Sequence, residues 1–277
     1  MAKHCIVQAL KTFLETDPSN WISEENARRP EYVGIRFFDE PLVGFAAADD
    51  EIIRSLEDNK TAGMGLKQPE EWLPGAKTVI SFFLPFTEDI KKDNRGLGAP
   101  TALWQQGRVT GQMCVVAATN ALVSMLRDAG HEAMAPIDNP HLNVLVERPG
   151  GEQALFISKW SERHVAYAAG LGTFGLSKGL ITEKGTAGRF GSVITTLGLE
   201  PTPRPYKDLY EYCVMCGACA RQCPGNAISI ETGKDHTICE AYLRTVLSGD
   251  GSYYGCGKCQ CGVPCESRIP GRDDRDI

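Results

Sequence analysis

Nine of the chain's eleven cysteines stand between Cys213 and Cys265, and whatever this chain folds into must gather them. The first four, Cys213, Cys216, Cys219 and Cys223, are followed by Pro224 and spell C-x2-C-x2-C-x3-C-P. Thiolates two residues apart can reach the corners of one iron-sulfur cube from a single loop, while the fourth of such a run points away and serves a neighbouring cluster. A second cluster is therefore expected. Its ligands come from Cys239, Cys256, Cys259, Cys261 and Cys265, one more than is needed, so that eight of the nine thiols fill two 4Fe-4S sites. A four-cysteine zinc site needs only two well-spaced pairs, and disulfides need an oxidising compartment. Neither accounts for the three-residue step, the proline and the second set together.

Reduced cysteines make the cytoplasm the expected location. Residues 1–14 read as a short amphipathic helix with Ile6, Leu10, Phe13 and Leu14 on one side, without the apolar stretch or cleavage site of an export signal. Arg28 and Arg29 precede Pro30, Glu31 and Tyr32 rather than an apolar run, and are read as surface residues. Apolar stretches such as residues 79–84 fall far short of the roughly 20 residues of a membrane span, so no membrane partner is expected. A net charge of −6 over 277 residues removes any general attraction to phosphate backbones, so no nucleic acid is expected either.

Along the chain, residues 34–38 and 42–46 read as two strands joined by a turn at Asp39, Glu40 and Pro41. Residues 50–56 read as a short capped helix and 63–67 as a loop. TVISFFLP, residues 78–85, is a strand buried on both faces. Residues 88–100 read as a mobile connection. A helix is expected over residues 109–127, with Met113, Val116, Ala117, Leu122 and Leu126 inward and Gly130 ending it. Cys114 and Cys5 read as small buried apolar residues. Residues 131–136 read as a strand, and Asp138, Asn139, Pro140 and His141 as turn chemistry. No two histidines stand at a helical metal spacing. Ser161 caps a short helix running to Ala169, a loop carries Gly170, Gly172 and Gly175, and a strand covers residues 190–196. The string G-x-G-x-x-G follows a helix rather than a strand, which argues against dinucleotide binding; glycines here would let the backbone approach something flat and large. Residues 201–205, with prolines at both ends, are the candidate boundary between two domains.

AAGLGTFGLSKGLITEKGTAGRFGSVITT (168–196) followed by CVMCGACARQCPGNAI (213–228) resembles the corrinoid iron-sulfur proteins that include epoxyqueuosine reductase and the reductive dehalogenases. LPGAKTVISFFL (73–84) looks like that family's first core strand, ICEAYLRTV (238–246) like its lone cysteine, and YYGCGKCQ (253–260) like the start of its second cluster motif. The resemblance implies an α+β fold: a nitroreductase-like α/β sandwich domain over residues 1–200 that holds base-off cobalamin, and a ferredoxin-like domain with two 4Fe-4S clusters over residues 201–277. Carried over, it gives one cluster to Cys213, Cys216, Cys219 and Cys265, and the other to Cys223, Cys239, Cys256 and Cys259, with Cys261 as the alternative ligand. It puts the corrinoid against Gly170, Leu171, Gly172, Phe174 and Gly175. Three departures stand out. Five residues separate Cys259 from Cys265 where three are usual; Glu266 stands where a proline is usual; and aligning Glu162 and Arg163 puts Phe156 where epoxyqueuosine reductase carries its acid.

The resemblance thus implies a corrinoid-dependent reductase fed by a low-potential donor such as ferredoxin or flavodoxin, acting on a small-molecule substrate. The rival expectation is an electron carrier without its own substrate, serving a partner corrinoid protein; FMN is the alternative occupant of the first domain. With Phe156 at the acid's position, a net negative chain and only the polar residues 271–277 at its end, reduction of epoxyqueuosine in tRNA is not expected.

Overall fold

In a computed structural model of the chain, residues 1–58, 65–146, 155–247, 249 and 251–276 are described. Helix α1 (Lys3–Thr16) buries Ile6, Leu10 and Leu14. Strand β1 (Leu42–Ala47) leads into α2 (Glu51–Ser55), where the Asp50 carboxylate caps the helix by accepting from the Ile52 amide at 2.9 Å. A one-turn helix, α3 (Pro69–Trp72), then precedes β2 (Thr78–Pro85). All eight residues of β2 are buried. Ile80, Phe82 and Leu84 join the core that α1 and the long helix share, while Val79 and Phe83 face two smaller clusters on the other side of the sheet. The continuous apolar run is thus a central strand covered on both faces, each large side chain contributing about 1.5–3 kcal/mol by burial.

Residues 34–38 form no strand. Phe37 and Phe38 are fully buried core residues, held by single bridges at Trp21–Arg36 and Phe38–Phe86. Strand β1 pairs instead with β2, antiparallel, Leu42 opposite Phe83. Part of the 88–100 connection is also ordered differently from expectation. Glu88–Asp93 is helix α4, pinned by buried Ile90 and by the Lys91 ammonium, which donates to the Ser267 hydroxyl at 2.8 Å.

Helix α5 (Ala102–Asp128) starts seven residues before the expected position 109. Thr101 caps it through the Trp104 amide, and Gln105 and Gln106 reach out to the carbonyls of Val246 and Asn26 at 2.6 and 2.7 Å. Its buried stripe runs through Cys114, Val115, Ala118, Thr119, Leu122, Val123 and Leu126. Met113 is 69% exposed, and Val116 and Ala117 are half-buried, which corrects the phase of the expected stripe. Cys114 is a core residue whose thiol burial pushes up to about 12, whereas Cys5 is exposed on α1. An 18-residue window of α5 has a mean hydropathy of 1.5, long and apolar enough to cross a membrane, and half of that window is buried inside this fold.

Strand β3 (Ala133–Met134) follows, then the hairpin β4 (Asn143–Val146) with β5 (Leu155–Ser158). Before it, Asn139 closes a turn by accepting from the His141 amide at 2.9 Å. Helix α6 (Glu162–Ala168) comes next. Ser161 does not cap it; its hydroxyl pairs with His164 Nδ1 at 2.7 Å. The expected glycine loop is the first strand of a hairpin, β6 (Gly172–Phe174) against β7 (Leu180–Thr182). Strand β8 (Gly188–Thr195) completes a mixed α/β core with sheet order β1-β2-β8-β3. Strand β3 pairs only with Thr195 and Ile194, so the remaining edge of β8, out to Arg189, has no strand partner among the described residues.

Residues 202–206 lie against this core. The Thr202 amide and hydroxyl bond the backbone of Phe45, and Tyr206 donates to the Tyr167 carbonyl at 2.5 Å. The remaining chain is small and loop-rich: α7 (Ala218–Arg221), the two-residue strands β9 (Ile228–Ser229) and β10 (Gly233–Lys234), and α8 (His236–Thr245). The start of the 63–67 loop and the Phe156 side chain lie outside what the structure describes; the Phe156 backbone pairs with that of Leu145.

Candidate iron-sulfur centres and a basic cleft

The thiol-bearing loop winds tightly. Met215 and Gly217 both hold positive φ, 54° and 72°, and α7 begins directly after. That coil turns Cys213, Cys216 and Cys219 inward. The same small pocket is closed by Cys265, Val263 and Leu176. Burial first, then the thiols of Cys219, Cys213 and Cys216, raise the Cys265 thiol, and burial with Cys259, Cys213 and Cys216 pushes Cys219 up to about 12.

A second group forms beside it. Burial raises Cys256 to about 11, with Cys259, Cys223 and Cys239 adding, while a backbone hydrogen bond from Lys258 opposes. Burial likewise raises Cys259, against Lys234 and with Cys239 and Cys223 adding. Cys213, Cys216, Cys219 and Cys265 line one small pocket; the Cys256 and Cys259 thiols each feel Cys223 and Cys239, and Cys259 in turn bears on Cys219. Among the described residues no three His, Cys, Asp or Glu side chains close on a single point as ligands to one ion would. Four thiols around a cube of four irons stand further apart than four around one zinc.

Cys261 belongs to neither group. It is fully buried in the main hydrophobic core, and Asn94 Nδ2 lies 3.8 Å from its sulfur. Asn94, itself fully buried, also donates to the Cys256 carbonyl and accepts from Lys258 Nζ, both at 3.0 Å. It fastens the 256–261 loop to the end of α4.

Glu266 is a second fastener. Its buried carboxylate accepts from Arg95 Nε at 3.1 Å and from the Gly262 amide, and Arg95 reaches on to Glu88 at 2.7 Å. Glu266→Ala is expected to cost about 1–2 kcal/mol, since Arg95 stays partly hydrated, and to speed iron loss because Cys265 is adjacent. A thermal melt and an iron-release rate both matching wild type would show that the pair holds nothing.

The glycines of the 170–175 segment have a different employment from the one the sequence suggests. A Cβ on Gly172 would sit 1.9 Å from the Ile181 carbonyl oxygen, and one on Gly170 would sit 3.0 Å from that of Pro203. Their close approach is to the chain's own hairpin partner and to the segment after β8. Leu171 and Phe174 are buried, Phe174 against the rings of His164 and Tyr167. Gly175 packs on Ile181. Gly175 lines the small pocket of the cysteines, and the Phe174 amide donates to the Leu209 carbonyl at 2.8 Å, just ahead of the cysteine run.

Beside the open edge of β8 stand Arg163, exposed on α6, and Arg189, half-exposed on β8 itself. Arg189 Nε donates to Gln112 Oε1 at 2.9 Å, and Arg163 Nη1 donates to the Lys178 carbonyl at 2.5 Å. Arg108 lies over the Tyr254 ring at 4.9 Å. The acid here is Glu162: burial raises its carboxyl to about 7, against a hydrogen bond with Ser192 and the charge of Arg189, and Oε2 is buried without a partner. Nothing local in the sequence distinguishes Arg108 and Arg189 from surface arginines.

The 4Fe-4S binding domain family matches residues 206–229, the stretch that carries Cys213, Cys216, Cys219 and Cys223. Among solved structures, the catabolic reductive dehalogenase NpRdhA superposes with a TM-score of 0.54 at 17% identity, over 84% of this chain and 31% of its own. A reductive dehalogenase described for B12-dependent dehalogenation gives 0.55 at 17% identity over the same shares, 84% and 31%. An epoxyqueuosine reductase gives 0.50 at 18% identity, over 84% of this chain and 66% of its own. The chain shares their fold. It carries a 4Fe-4S binding domain within that fold, and it spans about a third of the dehalogenases' length and just under two thirds of the epoxyqueuosine reductase's. No curated protein sequence matches it.

Proposed function

We propose that this chain is an iron-sulfur oxidoreductase. It passes low-potential electrons through two 4Fe-4S clusters to a base-off corrinoid held between a nitroreductase-like half, residues 1–200, and a ferredoxin-like half, residues 201–277. The observation that supports the reading is that Cys213, Cys216, Cys219 and Cys265 line one small pocket, the first three within the stretch matched by the 4Fe-4S binding domain family. In this reading Cys213, Cys216, Cys219 and Cys265 hold one cluster, Cys223, Cys239, Cys256 and Cys259 hold the other, and Cys261 remains a core thiol.

The open edge of β8 suits a corrinoid chemically. The ring is broad, flat and rimmed with amides, and the unpaired edge of β8 offers backbone donors and acceptors of the kind such amides bond. Bound there, the cofactor would supply the reducing metal centre for a reductive bond cleavage. The chain's own contribution is to exclude bulk water and to keep a proton on Glu162 Oε2 near neutral pH. Electrons would come from a donor such as ferredoxin or flavodoxin, and the substrate would be a small molecule.

Anaerobic titration of the cluster-loaded protein with hydroxocobalamin is expected to give a bound corrinoid with a base-off absorption spectrum, and titration with FMN none. No corrinoid binding at high micromolar protein would sink the reading. An electron carrier without its own substrate would then remain, or, if FMN bound, a flavin reductase.

A further inference from the structure

The chain does not leave the first cysteine pocket after Cys265. Pro270 is buried and stands in the wall of the same small pocket as Cys213, Cys216, Cys219 and Cys265, so residues 267–274 reach that site a second time without supplying a thiol. Both ends of this segment are fastened. At its start the Ser267 hydroxyl accepts from Lys91 Nζ of α4 at 2.8 Å, and that lysine is itself buried. At its far end Asp274 is only 7% exposed and takes two bonds: Oδ1 accepts from Arg268 Nη2 at 2.8 Å, and Oδ2 from the Gly271 amide at 2.7 Å. The carboxylate thus closes residues 268–274 into a loop that contains Pro270. A buried carboxylate is costly to keep unless such bonds are made, and what these two fix is the position of the proline. Proline suits a wall there, since it brings apolar bulk and no N–H.

We infer that residues 267–274 form a strap that keeps water from the first cluster, and that Asp274 is the positioning residue that latches it. The inference rests on the reading that Cys213, Cys216, Cys219 and Cys265 hold a cluster, but it needs no corrinoid. Reducing such a cluster adds a negative charge, and burial disfavours the more highly charged form. A dry pocket therefore lowers the potential, which solvent exposure helps to set. Loosening the strap admits water, stabilises the reduced cluster and raises its potential. It also opens the irons to dissolved oxygen.

The full chain, reconstituted anaerobically with iron and sulfide, is titrated electrochemically with EPR detection, and its absorbance is then followed in air-saturated buffer. Asp274→Ala is expected to keep the wild-type iron content, to raise the midpoint potential of one cluster while the other stays in place, and to bleach severalfold faster. Arg268→Gln removes one of the two bonds and leaves Gly271 on Asp274; it is expected to move both readouts the same way by less, and it decides the matter if Asp274→Ala loads poorly. Potentials and bleaching rates equal to wild type in both variants overturn the inference. So does an equal shift of both clusters, because a general loosening of the fold would then explain it. Wild-type protein that holds a single cluster, with its potential still raised by Asp274→Ala, would support the strap and remove the two-cluster reading alone.

Discussion

Anaerobically reconstituted protein is expected to hold about eight iron and eight sulfide per chain, because eight thiolates are exhausted by two cubes. The two thiol groups predict how that content divides. Cys265→Ser is expected to remove a cluster shared with Cys213, Cys216 and Cys219, and Cys239→Ser one shared with Cys223, Cys256 and Cys259, so each variant falls to about four iron. Cys261→Ser is expected to keep about eight, since its sulfur lies in the apolar core beside Asn94. Iron near four in the wild type after full reconstitution would refute the two-cluster reading. Iron near four in the Cys261 variant, with Cys259→Ser intact, would exchange the roles of those two cysteines.

The four-cysteine run matched by the 4Fe-4S binding domain family could be anticipated because ligand spacing is a local property. Three thiols two residues apart occupy one loop whatever the rest of the chain does, and the fourth of such a run points away from the other three. Strand β2 was legible for a related reason: a run of eight residues that are all buried has no polar side to hide. Other features depend on partners distant in sequence. Phe37 and Phe38 look like a strand, but β2 has its two neighbours already in β1 and β8, so they anchor the core through single bridges. The first turns of α5, before the expected start at 109, are held by partners distant in sequence, the carbonyls of Val246 and Asn26, which take up the Gln105 and Gln106 amides.

Arg189 shows the same limit: it is one arginine among ordinary neighbours in sequence, and its partner Gln112 is set by the packing of α5 against β8. The glycines after α6 show the reverse. Their need for close backbone approach was legible, but what they approach was not, since Ile181 and Pro203 are set by a hairpin and by a segment that returns against the core.

The junction between the cysteine-rich end and the rest of the chain is set at Gly257, and Gly257→Ala is expected to damage it severely. Gly257 has φ +64°, and a Cβ there would lie 1.9 Å from Trp104 Cε2 and 2.2 Å from its Nε1. Trp104 has little room to yield: it is buried in α5, its ring meets Phe86 edge-on at 5.0 Å, and its Nε1 has no hydrogen-bond partner. The left-handed backbone costs a residue with a Cβ about 1–2 kcal/mol, and overpacking a filled site adds about 1–3 kcal/mol. The shift falls on the 256–259 loop, whose ends are Cys256 and Cys259. Iron is therefore expected to fall towards about four per chain, with the group of Cys213, Cys216, Cys219 and Cys265 still loaded. Adding Trp104→Leu to the Gly257→Ala protein makes space for the methyl group, and should return part of the missing iron even though the smaller core side chain lowers overall stability. A Gly257→Ala protein with full iron and an unchanged melting temperature would show that the loop and Trp104 part without cost, and that the two ends of the chain are not held together at this contact.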